Sequence, residues 1–229
     1  MNKVIKILLS IVIVSLSALV VPLKGHSENI KTESVEVKTI AVEPTEININ
    51  EDVKELPVSI NFEIDTAIEE MNQKMAEIES IEDKKEWFIA YKSIIDEYSH
   101  IIDSPETIYE YFTEEELDLL FHVVQAEVGD EYSFEQKVNV ASVIFNRLEH
   151  EKFPDDLSEI LVYDQFSPIS NGRYKEVEVS EDTILACEYA FEIEDTTDGC
   201  LFFDSNNTLN YRFVFNDKAH NFYSLRGIK

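Results

Sequence analysis

Between Thr113 and Arg147 the chain reads TEEELDLLFHVVQAEVGDEYSFEQKVNVASVIFNR, and its apolar positions repeat with the period of a helix on both sides of a break at Gly129-Asp130. Leu117, Leu120, Val123 and Val124 share one stripe. Thr113 and Glu116 have the spacing of a capping box, and Glu114 and Glu115 fall in the first turn, where negative charge suits the helix dipole. The pattern predicts one helix from Thr113 to Glu127 and a second running through Arg147, which Phe153-Pro154 ends.

Upstream, Ile64, Ile68, Met71, Met75 and Ile78 form one helical stripe, and Trp87, Ile94, Ile95, Tyr98 and Ile101 a second, stopped at Ser104-Pro105. We read 60–112 as a helical hairpin. Two helices alone bury little apolar area, so the hairpin is expected to pack as an extension on the following domain and to be dispensable for its chemistry; a partner-binding module is the other reading. Downstream, 155–162 reads as a short helix, 163–174 as a loop with a turn at Asn171-Gly172, and Ser180 to Phe191 as a helix. Short strands follow at 201–203, 211–215 and 219–223, the last two joined through Asn216-Asp217. The expected fold class for 113–229 is α+β, mostly helical, with a small C-terminal antiparallel sheet.

Residues 1–27 have a basic start, an apolar run from Ile7 to Val21 and a polar exit, the form of a signal peptide. A secreted or cell-envelope location is expected, with membrane attachment only if that segment stays uncleaved. Residues 28–59 contain no aromatic residue and read as an acidic, disordered linker.

Charge narrows the partners. With 19 Lys and Arg against 47 Asp and Glu, the formal charge is −28, and nucleic acid is excluded because its binding is dominated by phosphate neutralisation. The five histidines show no metal-ligand spacing, so no metal site and no cofactor are expected. Cys187 and Cys200 both fall where an apolar face is expected, and we read them as free buried thiols in preference to a disulfide.

One carboxylate is out of place. In helical register Glu127 follows Val124, Val123, Leu120 and Leu117 on the apolar stripe, where poor hydration penalises the charged form and raises the pKa. A glutamic acid protonated near neutral pH can give a proton to a leaving group. The ordinary alternative is a helix-end Glu that turns to solvent.

Ala126-Glu127 with Glu131, the run VNVASVIFNR (Val138 to Arg147), Phe153-Pro154, QFSP (Gln165 to Pro168) and HNFY (His220 to Tyr223) occur in the order found in the SleB-type cell-wall hydrolases, the spore-cortex-lytic enzymes and their relatives, and residues 113–223 resemble that family. Departures lie beside the acid: the glycine of the family's Glu-Ala-Arg-Gly-Glu is moved by one position in Glu127-Val128-Gly129-Asp130-Glu131, and a frequent Gly-Gln pair is Gln136-Lys137 here.

The resemblance implies a lysozyme-like domain, related to goose-type lysozymes and lytic transglycosylases, acting on peptidoglycan or spore cortex glycan at the bond between N-acetylmuramic acid and N-acetylglucosamine. Glu127 would be the general acid and Glu131 the candidate second carboxylate, with Gln165, Phe166, Ser167 and Tyr223 as candidate substrate contacts. Packing of the loop and strand is the alternative role for these four. Two further functions stay open, a hydrolytic muramidase and a non-catalytic wall-binding protein.

Overall fold

Ser133 accepts from the backbone N–H of Gln136, whose side chain returns to the Ser133 N–H, and this closed capping box starts the helix on which the domain is built. A computed structural model describes residues 58–161 and 166–225. The leader at 1–27 and nearly all of the linker at 28–59 lie outside the described residues, as does Gln165.

The helices are α1 (Val58–Ile78), α2 (Lys84–Tyr98), α3 (Ile108–Tyr111), α4 (Glu114–Glu127), α5 (Phe134–Leu148), α6 (Leu157–Ile160), α7 (Ser167–Asn171) and α8 (Glu181–Glu192), with a 3-10 turn at Arg173–Lys175. Strands β1 (Phe202–Asp204), β2 (Arg212–Asn216) and β3 (Asn221–Ser224) form an antiparallel sheet in the order β1-β3-β2, with Phe202 opposite Tyr223 and a register shift between Phe213 and Phe215. The domain is mostly helical α+β with a small sheet, as the change of hydrophobic period indicated. Among the described residues no helix is long and apolar enough to cross a membrane.

Helix α5 is central. Every residue from Lys137 to Phe145 is buried, which no amphipathic surface helix allows, and α5 is packed chiefly against α8. Val138, Val140, Ala141 and Ile144 meet Leu120, Val123 and Val124 of α4 and Ala186, Cys187 and Tyr189 of α8 in one core. The hairpin reaches the same core through Phe88 and Tyr91 of α2. Cys187 and Cys200 are free and buried.

The segment read as a loop at 163–174 contains α7 and the 3-10 turn. Pro168 at the start of α7 needs no backbone donor there, and Gly172, at φ 79°, ends the helix in the left-handed conformation. The short α3 was also absent from the sequence reading; a capping box of Thr107 and Glu110 starts it.

Candidate functional site

Helix α4 ends on Glu127. Its last turn closes with the Val128 N–H donating to Val124 O at 2.8 Å, so the carboxyl stands at the negative end of the helix dipole, next to fully buried Val124 and Val128. Burial pushes its pKa from the ordinary 4.5 up to about 7, against the opposing pull of the Arg173 guanidinium, a hydrogen bond from the Ser167 backbone N–H and the weaker pull of the Arg147 charge. Near neutral pH this acid is poised to hold or release a proton.

Three elements set these opposing groups. Phe166, 2 % exposed, anchors the start of α7 under the guanidinium of Arg147, 4.9 Å from the ring centroid, and Pro168 is buried two residues on. That anchoring fixes the Ser167 N–H on Glu127, while the Ser167 side chain remains exposed. After the Gly172 cap, Arg173 reaches back and donates from Nη2 to Ala126 O at 2.5 Å. Arg147 is itself 4 % exposed; it donates from Nε to Leu201 O at 2.7 Å and lies over Phe153 and Phe202 as well. Its neighbour Asn146 donates to Thr197 Oγ1 and Cys200 O, so the Asn-Arg pair pins the chain entering β1.

Behind the acid, Gln125 and Lys137 hold the Gly129-Asp130 turn. Gln125 Nε2 donates to Asp130 Oδ1 at 3.0 Å, and its Oε1 accepts from the Ser180 N–H and from Thr183 Oγ1. Lys137, 1 % exposed, donates to Asp130 Oδ1 at 3.3 Å and Ser180 Oγ at 3.1 Å. A buried ammonium requires a paired acceptor, and Asp130 supplies it.

Two of the sequence-derived contact residues need correction. Phe166 and Tyr223 are 2 % and 1 % exposed, so neither offers a ring face to a sugar. Phe166 packs beneath Arg147, and the Tyr223 hydroxyl lies 2.8 Å from Asp204 Oδ1 and 2.9 Å from Asn207 Oδ1, bracing the loop after β1. Glu131 is exposed and its carboxyl folds back over Gly129, where a methyl group would collide with it. The sequence reading missed Arg173 and Tyr211. Tyr211 is 36 % exposed, stacks on Phe202 with centroids 3.9 Å apart, and acts electrostatically on Arg147. Its signal was an aromatic residue at the mouth of a strand, which reads equally as packing.

A second carboxyl, Glu192 at the end of α8, is also pushed up to about 7 by burial. It has the backbone N–H of Ile108 and the charge of Lys92 as opposing influences, and no arginine acts on it. Titration alone therefore does not single out Glu127. The flanking guanidiniums and the exposed Ser167 do.

Residues 131–225 match the protein-family model described as Cell Wall Hydrolase. The segment from α5 through β3 is thus similar to a cell wall hydrolase domain. The match begins four residues after Glu127 and takes in α5 through β3, including Arg147, α7 and Arg173. Two solved structures are similar: the catalytic domain of the Bacillus cereus SleB protein, at 20% identity over 49% of this chain and 92% of that one with a TM-score of 0.45, and the catalytic domain of the germination-specific lytic transglycosylase SleB from Bacillus anthracis, at 18% identity over 49% and 97% with a TM-score of 0.44. No curated protein matches the chain.

Proposed function

We propose that the protein is an exported peptidoglycan-degrading enzyme that cleaves the bond between N-acetylmuramic acid and N-acetylglucosamine, acting as a lytic transglycosylase, with the spore cortex as one setting. The observation that carries this is the carboxyl of Glu127, held largely out of water, protonated up to about pH 7, and bonded by the backbone N–H of Ser167, an exposed residue. The domain match supports the substrate class.

In this mechanism Glu127 donates its proton to the bridging oxygen as the glycosidic C1–O bond breaks, and positive charge develops on the muramyl ring. The sugar's acetamido group assists departure. The carboxylate so formed takes the proton of the muramyl 6-hydroxyl, whose oxygen closes on C1 to give a 1,6-anhydro ring. One acid then serves both steps, and the nearby Arg173 and the Ser167 N–H stabilise its ionised form between them. Tyr211, 36 % exposed and stacked on Phe202, is the proposed aromatic surface for a sugar ring; Ser167 and Gln165 are proposed polar contacts.

The test is a digest of purified peptidoglycan and of cortex in heavy-oxygen water. Anhydromuramyl ends, one water lighter than reducing ends and free of label, are expected. Reducing ends carrying the label would instead make the enzyme a hydrolytic muramidase, with Glu131 the first candidate for the second carboxylate.

A further inference from the structure

Where the hairpin meets the hydrolase domain, the segment between α2 and α3 bridges to the end of α8 and leaves a cavity of about 210 Å³, lined by Tyr91, Lys92, Asp96, Ser104, Pro105 and Glu192 among others. Two polar atoms in its wall are buried and make no hydrogen bond: the hydroxyl of Tyr91, a residue 5 % exposed, and Oε1 of Glu192. Such groups cost free energy unless something pairs with them.

The neighbours of Glu192 are already committed. Lys92, the cation nearest to hand, places Nζ 2.5 Å from Glu188 Oε2, and the Tyr109 hydroxyl donates to Glu188 Oε1 at 2.6 Å. Glu188, one helical turn before Glu192, thus has a donor on each oxygen, whereas Glu192 receives the Ile108 N–H and its Oε1 has no partner. Glu110 and Asp96 add negative charge around the same opening, so the cavity faces one paired lysine with several carboxylates. Its remaining wall, with the Tyr91 ring, Ile95 and Pro105, is mostly apolar.

We propose that this cavity binds a small organic cation, a primary ammonium group on a compact apolar body, whose nitrogen donates to Glu192 Oε1 and to the Tyr91 hydroxyl. The volume suits it: an engineered cavity of about 150 Å³ holds benzene, and drug-sized ligands take about 300 Å³ or more. An anion meets the carboxylates, and a neutral alcohol leaves the charge of Glu192 without a counter-ion. The cavity joins residues of α2, the linking segment and α8, so occupancy clamps the hairpin to the domain.

Trp87, the one tryptophan of the chain, reports on the site because its ring stacks on Tyr91 with centroids 5.3 Å apart. Titrating the full-length protein with benzylamine, benzyl alcohol and benzoate should give a saturable change in Trp87 emission for benzylamine at a concentration at least tenfold lower than for the alcohol, and none for benzoate. Glu192→Gln should weaken benzylamine at least tenfold and erase its advantage over the alcohol, and Tyr91→Phe should weaken it severalfold. Equal binding of amine and alcohol, no saturable change with benzylamine, or undiminished binding by a folded Glu192→Gln protein overturns the proposal. If the cavity is only a packing fault, Tyr91→Phe raises the melting temperature and benzylamine raises that of neither protein; the expected result is a rise with benzylamine in both, larger in the wild type at the same concentration. The comparison of the three probes on the wild type decides the matter even if a variant fails to fold.

Discussion

The guanidinium of Arg173 donates to the main-chain carbonyl of Ala126 at 2.5 Å, and so stands beside the carboxyl of Glu127 from outside the helix that carries it. Its positive charge opposes the desolvation that raises the Glu127 pKa. Without that charge the protonated form gains further ground. Arg173→Gln should therefore move the alkaline limb of the wall-lysis pH profile upward from about pH 7, since the acid stays protonated to higher pH. A variant that loses activity equally at every pH, with an unmoved limb, would assign Arg173 to anchoring α4 alone.

Glu131→Gln should lower the rate less than tenfold, whereas Glu127→Gln should abolish lysis, because the amide keeps the shape of the side chain but has no proton to give. Gly129→Ala provides a separate probe. The added methyl would displace the Glu131 carboxyl, the movable end of a flexible side chain, so the protein should still fold with little loss of stability. Comparable losses of turnover for Glu127→Gln and Glu131→Gln in steady-state assays would favour a two-carboxylate hydrolase over the single-acid mechanism.

Much of this architecture is legible along the chain because its signals are local. Thr113 with Glu116, and Ser180 ahead of Glu181, announced helices that begin at those positions, and the Glu127 stripe gave a buried acid without any knowledge of its partners. What stayed hidden depends on contacts far apart in sequence. Arg173 acts on a residue more than forty positions earlier, and nothing local distinguishes it from a surface arginine. Lys137 is 1 % exposed, unlike an ordinary lysine, because Asp130 and Ser180 converge on it. The QFSP segment was read for its side chains, yet Phe166 and Pro168 are buried anchors and the group turned towards the acid is the backbone N–H of Ser167. A hydrophobic pattern marks which residues are apolar, not which of them keep a face open.

The hairpin carries a stability prediction. Phe88 is fully buried in the core shared with α4, α5 and α8, and its ring meets Tyr189 edge-on with centroids 5.3 Å apart. Phe88→Ala should cost about 3–5 kcal/mol, as for other buried aromatic truncations. A chain beginning near Ser104 loses Phe88, Trp87 and Tyr91 together and exposes the faces they cover, so it should melt well below the full-length protein or fail to fold by circular dichroism. An unchanged melting temperature for the shortened chain would show that the hydrolase domain closes its core without the hairpin.

The burial of Glu127 should also be readable in stability, with a defined sign. Its folded pKa, about 7, lies above the ordinary 4.5 that it takes in the unfolded chain, so the unfolded state gives up its proton first as pH rises. The stability associated with the protonated carboxyl is fully present below pH 4.5 and is lost progressively as pH climbs through 7. The difference amounts to about 3 kcal/mol at full ionisation, or nearer ~2 kcal/mol once partial solvent access is allowed for. Glutamine cannot ionise. Glu127→Gln should therefore match the wild type in urea unfolding at pH 4 and exceed it by ~2 kcal/mol at pH 8, with the gap opening between those values, while activity is absent throughout. Glu192→Gln should show a gap of the same sign, and because Glu192 lies outside the proposed catalytic site that variant should retain wall lysis. A Glu127→Gln protein whose stability tracks the wild type at every pH would mean that the carboxyl is hydrated in solution, and with that the case for a neutral-pH proton donor at this position would fail.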